Sequence, residues 1–393
     1  MAMALSGLAV SGFLSAQPGL EIRFQPGDFV YAYQTRGLGT PGELYTVVVQ
    51  NIAVVNTAMG PDSTQEIEAI SLAATHGGEE VQRLNLGKEA LAQAAQTFKA
   101  YQDQGILAFY DFQFQTSRYL PGIRFPGTLS LHGEEGLVVT HRALLFQTLP
   151  DSLVVEVQAR NAEGARQTLR KSLAVVYHLS PNPYTFPLRG TWLAQGAPSL
   201  NSHHRWGSLQ EFALDLGQIG AEGLTHMGNG SHLTDYYAYG APVLSIGDGK
   251  VVAAHDGETE SDANLRQSGE EAEAFLMRTM QSQQALLAQG FEKLLGNYVV
   301  IEHEHGEYSV YVHLKTGSLQ VAQGDRVRQG QEIAALGHSG NSTEPHLHFH
   351  LADGPDLAYA RSIPINFSNI ELYPDDDGNM RHLQMGQVII TRE

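Results

Sequence analysis

The 393-residue chain sets 42 acidic side chains against 24 basic ones, giving a formal charge of −18 and a pI near 5.3. That balance argues against a nucleic-acid binder, which needs a basic stripe to neutralise phosphates, and against an anionic membrane surface as partner. There is no cysteine, so disulfides, a thiolate nucleophile and Cys-ligated zinc are excluded, and any metal must be held by histidine and carboxylate.

The length suffices for two or three domains. No segment reaches the roughly 20 apolar residues needed to span a bilayer. Residues 1–19 form a signal-like segment: 2–16 are small and apolar and end in Leu14-Ser15-Ala16 before Gln17-Pro18. No Lys or Arg precedes them, so the basic start of a secretory signal is missing. The other reading is a first β-strand. The signal-like reading implies the cell envelope (periplasm) or an extracellular location.

Residues 20–179 read as a β-rich domain with one helix. Val- and Tyr-rich 44–55, aromatic 106–114, and 137–149, 153–159 and 169–179 read as strands separated by turn clusters such as Gly133-Glu134-Glu135-Gly136. Short strands in this pattern suggest a β-sandwich. The helix is 88–104, with Leu91, Ala95 and Phe98 at helical spacing. No motif in this half carries chemistry. His132 and His141 read as ordinary strand-end or surface residues, and binding or spacing is the default role. Residues 180–199 hold Pro181, Pro183, Pro187 and Pro198 and read as a linker.

From 200 to 393 histidine clusters and glycine is frequent. Within 205–216 a strand ends as Phe212-Ala213-Leu214-Asp215-Leu216, with Asp215 in an apolar run, where an acid is costly unless paired or ligated. Strands follow at 243–254, 298–302 and 308–314, with two short ones in 321–336. A helical insertion, 268–295, carries Phe275, Leu276, Met280 and Leu287 on an apolar stripe, expected to pack on its own domain or to form a lid beside the site. Asp375-Asp376-Asp377-Gly378 lacks EF-hand spacing and reads as a solvated turn.

The most informative stretch is 337–351, GHSGNSTEPHLHFHL. After Pro345, histidines alternate with apolar residues. In a strand His346, His348 and His350 share one face, and Leu347, Phe349 and Leu351 the other. Catalytic zinc typically keeps three protein ligands and an open fourth position. The candidate ligands are His203, His204, Asp215, His226, His232, Asp235, His303, His305, His313, His346, His348 and His350.

Two segments, 296–314 (GNYVVIEHEHGEYSVYVHL) and 327–351 (VRQGQEIAALGHSGNSTEPHLHFHL), together resemble the lysostaphin/LytM-type zinc metalloendopeptidases of bacterial cell walls. The resemblance spans roughly 186–351. It implies a mainly β protein: the N-terminal β-sandwich-like domain, then a small antiparallel β peptidase domain (duplicated hybrid motif-like) with the helical insertion. It implies Zn²⁺ as cofactor, with His348 as a ligand, His346 as catalytic base or transition-state stabiliser and His313 assisting. The substrate class it implies is peptidoglycan cross-links or stem peptides.

The family's His-x-x-x-Asp motif is absent. His204, eleven residues before Asp215, and His232, three before Asp235, are the possible substitutes. A branch of the family with a Gln-x-Phe-Ala-x-Asp strand and a later Asp-Tyr-Tyr segment resembles Gln210–Asp215 and Asp235-Tyr236-Tyr237. That resemblance favours His204 and Asp215 as ligands, in a branch with a divergent first zinc motif. His203 competes with His204, and Asp235 with Asp215. His303 and His305 read as a hairpin, His338 and His350 as outer supports, His226 and His255 as loop residues.

Three other readings stand beside the metallopeptidase. A lipoyl- or biotinyl-carrier domain shares the Val-x-x-Gly-Gln turn, but its modified-lysine tripeptide is missing. An inactive envelope binding or activator protein could use the same fold. A general peptide metalloprotease would keep the chemistry and change the substrate. The N-terminal half could position the enzyme or occlude its groove. Oligomeric state is not readable.

Overall fold

The computed structural model describes residues 19–35, 44–58, 63–374 and 382–392. The signal-like stretch 2–16 and the acidic turn at 375–378 lie outside the described residues. The protein is mainly β.

In the N-terminal half the strands are β1 (Leu20–Gln25), β2 (Phe29–Thr35), β3 (Leu44–Asn56), β4 (Gln65–His76), β5 (Glu79–Leu86), β6 (Ser130–Leu131), β7 (Glu135–Phe146), β8 (Ser152–Asn161) and β9 (Arg166–Val176). Their order is β1-β3-β2-β9-β8-β4-β5, with β7 on β3 and β6 on β4. Among the described strand pairs of this half, only β2–β9 is parallel. Ile22, Val47, Ile52 and Leu137 from one end of this sheet share a core with Ile67, Leu72, Val155 and Leu173 from the other, so the sheet folds over on itself. Helix α1 (Lys88–Asp103) buries Leu91, Ala95 and Phe98 against it.

The aromatic run 106–114, expected as a strand, is instead two helical turns, α2 (Ile106–Phe109) and α3 (Asp111–Phe114), followed by α4 (Thr116–Tyr119). Gly105, at φ +73°, ends α1 and redirects the chain. Leu107 and Phe114 then reach the Phe98 cluster from turns rather than from one strand face. Strands β4 and β5 were not expected. β5 is mostly exposed, so its sequence carries no apolar alternation.

The C-terminal half holds β10 (Thr191–Gly196), β11 (Leu214–Gly217), β12 (Pro242–Leu244), β13 (Gly249–His255), β14 (Asn297–Glu302), β15 (Tyr308–Leu314), β16 (Arg326–Val327), β17 (Glu332–Ala335), β18 (Leu347–Ala352), β19 (Ser362–Ile363), β20 (Ile370–Tyr373) and β21 (Val388–Thr391). The main sheet runs β16-β13-β14-β15-β18-β11-β10-β21-β20, with β19 on β18, and β12 pairs separately with β17. The expected strand 243–254 is therefore two strands, parted by a turn at 245–248, and His255 closes β13 rather than lying in a loop. β10 lies within 180–199 and is a full member of this sheet.

Alternation in β18 works as read. Leu347, Phe349 and Leu351 are fully buried in the core, among Phe212, Leu214, Leu216 and Tyr311. Tyr31 and Tyr33 of β2 enter the same core, so the two halves share apolar packing. Tyr33 also donates its hydroxyl to the Leu383 carbonyl at 2.5 Å.

The insertion forms α5 (Ala272–Gln289) and α6 (Glu292–Leu295). The expected apolar stripe of α5 is not buried: no residue of α5 is buried, and Leu276, Met277 and Met280 are about half exposed. The helix is held at its start by Arg278, which pairs with Glu270 and caps the Ala263 and Leu265 carbonyls. No helix among the described residues is long and apolar enough to cross a membrane.

Candidate metal centre

Three adjacent strands build the site. β11 pairs with β18 so that Asp215 stands opposite His348, and β15 pairs with β18 so that Val312 stands opposite His348 on its other side. The polar face of β18 thus meets the one acid in the apolar β11. His204 arrives from a 3-10 turn, His203–Trp206, whose N-cap Ser202 accepts from the His204 amide.

His204 Nε2 lies 2.6 Å from Asp215 Oδ2, and His348 Nδ1 lies 3.0 Å from Asp215 Oδ1. His346 Nε2 is 3.6 Å from the same Oδ1. The His204 and His348 rings are 4.8 Å apart, edge to face. His203 also belongs to the neighbourhood: His203, His204 and Asp215 offer ligand atoms within 4.8 Å of one another. His203 is exposed, however, whereas His204 and His348 are buried. His313 completes the wall, with its ring 5.0 Å from that of His346 and 5.9 Å from that of His348.

Two tautomers follow from the partners. A carbonyl oxygen can only accept, so His346 Nδ1 donates to the Glu344 carbonyl at 2.8 Å and His313 Nδ1 donates to the Ser339 carbonyl at 2.8 Å. Each neutral ring then keeps its lone pair on Nε2. His313 sits at φ +60°, an uncommon conformation for a non-glycine residue, of the kind found at functional sites.

Electrostatics reinforce this arrangement. Burial alone would raise the Asp215 carboxyl, but the charge and hydrogen bonds of His204 and the bond from His348 outweigh it and hold it well below the usual carboxylate range. Burial, with His346 and His348 nearby, pushes His313 well below the usual imidazole range. Burial lowers His348 and His350 as well.

The donor set fits a zinc ion. Two buried imidazoles and one ionised carboxylate converge, and nitrogen and oxygen are the ligand atoms left to a chain without cysteine. The site is also shaped for the acid: Gly196 of β10 stands opposite Asp215, and a Cβ there would lie 2.5 Å from Oδ2.

Other expected candidates fall elsewhere. His232 is exposed and pairs with Asp262 at 2.9 Å, while Asp235 accepts from the His232 amide. His303 is buried between the Asp248 carbonyl and Ser309 Oγ, and His305 lies in the turn between β14 and β15. His226 forms a bridge with Tyr236. His338, held by burial at a pKa of about 4, meets Ser342 Oγ at 2.9 Å, and that hydroxyl is 3.3 Å from His346 Nδ1. His141 is no ordinary strand residue: its ring packs 5.6 Å from Trp206.

A cavity of about 290 Å³ opens over the centre, lined by His203, His204, Asp215, His313, His346 and His348, with His350 alongside. Its outer wall brings residues that the sequence did not single out. Phe112 and Gln113 come from α3, and Gln283 and Phe291 from the insertion. The Phe112 and Phe291 rings are 4.8 Å apart. No sequence motif marks Gly196, Phe112 or Phe291, because their roles depend on contacts between distant segments.

Residues 280–358, which hold β14, β15 and β18 of this sheet, match the model of Peptidase family M23. The chain is 30% identical over 135 residues to the peptidoglycan DD-endopeptidase ShyB of Vibrio cholerae, a match covering 32% of this chain and 23% of that protein. Over 59 residues it is 41% identical to the peptidoglycan DD-endopeptidase ShyC of the same species, covering 15% and 13%. Among solved structures, a zinc containing peptidase from Vibrio cholerae aligns with 15% identity and a TM-score of 0.25, covering 89% of this chain and 88% of that one. The chain spans less than a quarter of the length of the curated relatives it matches.

Proposed function

We propose that the chain is a zinc-dependent metalloendopeptidase acting on peptide bonds of peptidoglycan cross-links or stem peptides in the cell envelope or outside the cell. The observation that carries this reading is the convergence of His204 Nε2 and His348 Nδ1 on the two oxygens of Asp215. The peptidoglycan substrate draws support from the relatives named DD-endopeptidases. The division into a β-rich half at 20–179 and a peptidase half at 200–393 is part of the same proposal, with β10 belonging to the second.

His204, Asp215 and His348 would hold the ion. Bound there, zinc supplies a Lewis acid that polarises the scissile carbonyl and acidifies water. His346 holds its Nε2 lone pair toward the Asp215 side by donating Nδ1–H to Glu344, so it is oriented to take a proton from the attacking water and pass it to the leaving amine. His313, fixed by Ser339, offers a second Nε2 acceptor that orients that water. Whichever ring takes the proton becomes a donor to the oxygen of the tetrahedral adduct. The sheet beneath these rings keeps them in place without reorganisation.

The test is the metal content of the purified chain. Wild type should hold about one zinc per chain, as a three-ligand catalytic site requires. His348→Ala and Asp215→Ala should lose it, and Asp235→Ala should keep it. A wild type that takes up no zinc after reconstitution, or an Asp215→Ala variant that keeps it, would sink the assignment.

A further inference from the structure

His204 sits in a segment that makes no strand pairing of its own: β10 ends at Gly196 and β11 begins at Leu214. Its position is set from elsewhere. The neighbouring Arg205 is fully buried. Its guanidinium donates to the Glu211 carboxylate, to the Thr46 carbonyl at 3.2 Å and to Thr46 Oγ1 at 3.4 Å. It lies over the Phe212 ring at 4.9 Å and near the Tyr33 ring at 6.0 Å. Gln50 of β3 donates its side-chain amide to the Arg205 carbonyl at 3.0 Å. His141 of β7 packs on Trp206, and Gln115 donates to Ser208 Oγ at 3.2 Å. Tyr33, Thr46, Gln50, Gln115 and His141 all belong to the N-terminal half.

We propose that the N-terminal sheet positions the first metal ligand: Arg205 is the positioning residue for His204, and β3, through Thr46 and Gln50, is its anchor. The proposal rests on the reading of His204 as a ligand. His204 and Arg205 are consecutive residues of one short 3-10 turn, so holding the guanidinium and the Arg205 carbonyl restrains the backbone that carries the imidazole. The guanidinium is fully buried, so losing the partners of its two terminal nitrogens would be costly. The peptidase half supplies Asp215 and His348 from its own sheet, yet the third ligand is oriented by a strand from the other half. Groups that hold metal ligands in place typically change metal affinity by about 10–100-fold when removed.

The experiment uses the whole chain and measures zinc affinity by competition with a chromophoric chelator, alongside the thermal midpoint of the metal-free protein. The variants are Arg205→Met, Gln50→Ala and Val155→Ala. Val155 is buried on β8 between β4 and β9, and none of the hydrogen bonds that hold Arg205 involves it. Arg205→Met should weaken zinc binding by about 10-fold or more, and Gln50→Ala several-fold. Val155→Ala should lower the midpoint and leave affinity unchanged. Wild-type affinity in folded Arg205→Met and Gln50→Ala would overturn the clamp while leaving the peptidase reading intact. Affinity that merely tracks the midpoint, with Val155→Ala as weak as Gln50→Ala, would overturn it too. If Arg205→Met does not fold, the comparison of Gln50→Ala with Val155→Ala decides alone. A wild type that binds no zinc removes the peptidase reading and the clamp together.

Discussion

Gly196 and Asp215 face each other across the β10–β11 pair, and the space a side chain would take at Gly196 is filled by the Asp215 carboxylate. Any larger residue there must push the acid out of line with His204 and His348. Gly196→Ala should therefore weaken zinc binding on the order of 10-fold while the sheet still forms. Chelator competition and far-ultraviolet circular dichroism measure the two quantities, and unchanged affinity would show that the acid has room to move.

On the proposed reading His348 and His346 have different roles, and their hydrogen bonds differ accordingly. His348 lies on β18 and His346 just ahead of it, but only His348 bonds the acid through Nδ1, whereas His346 spends its Nδ1–H on Glu344. His346→Ala should keep its zinc and lose about 10²–10⁴-fold in kcat on a cross-linked muropeptide. Loss of metal in this variant would make His346 a ligand and refute the division of labour.

Glu307 predicts an acid-sensitive fold. Its carboxylate accepts from Ser180 at 2.6 Å, Asn182 at 2.8 Å and Tyr184 at 2.8 Å, and meets His178 Nε2 at 3.1 Å. Burial opposes ionisation, but the hydrogen bonds from His178, Ser180, Tyr184 and Asn182 win and lower the carboxyl from 4.5 to about 2. A carboxyl depressed in the folded state contributes stability above its unfolded value. That contribution, up to about 3 kcal/mol, is lost as pH falls from 4.5 toward 2. Denaturant titrations of metal-free protein should show a steeper loss in this window for wild type than for Glu307→Gln. Parallel curves would refute it.

Phe112 and Phe291 meet at the cavity wall from opposite halves of the chain. An aromatic contact of this kind contributes about 1 kcal/mol, and the prediction takes a long substrate to run past this wall and part the rings. Phe112→Ala should raise kcat/KM a few-fold for cross-linked substrate and leave it unchanged for a short peptide. A fall with both substrates would make the ring a substrate contact instead.

Much of the centre was legible in the sequence because it depends on local periodicity. Alternation after Pro345 placed His346 and His348 on one face, and an acid in the apolar Phe212–Leu216 run demanded a partner, which proved to be His204 and His348. The choice of Asp215 over Asp235 came from the family resemblance of the Gln210–Asp215 strand, with the desolvation argument pointing the same way. What the sequence hid was non-local. Aromatic spacing at 106–114 fits a strand or tight helical turns equally well, and Gly105 decided between them. The stripe on α5 reads as a buried face, yet Leu276 and Met280 remain half exposed because no element packs over them among the described residues. His141 looked unremarkable because its partner, Trp206, lies in the other half.

Asp215 and His348 are separated by 133 residues of chain yet bond directly. Bringing such distant residues together costs loop-closure entropy that only the finished sheet repays. The nascent or unfolded chain therefore offers zinc local histidine clusters but not the complete set of His204, Asp215 and His348. On the proposed reading the ligand set is complete only once β11 pairs with β18, so a chain that has not closed this pair would lack hydrolytic capacity.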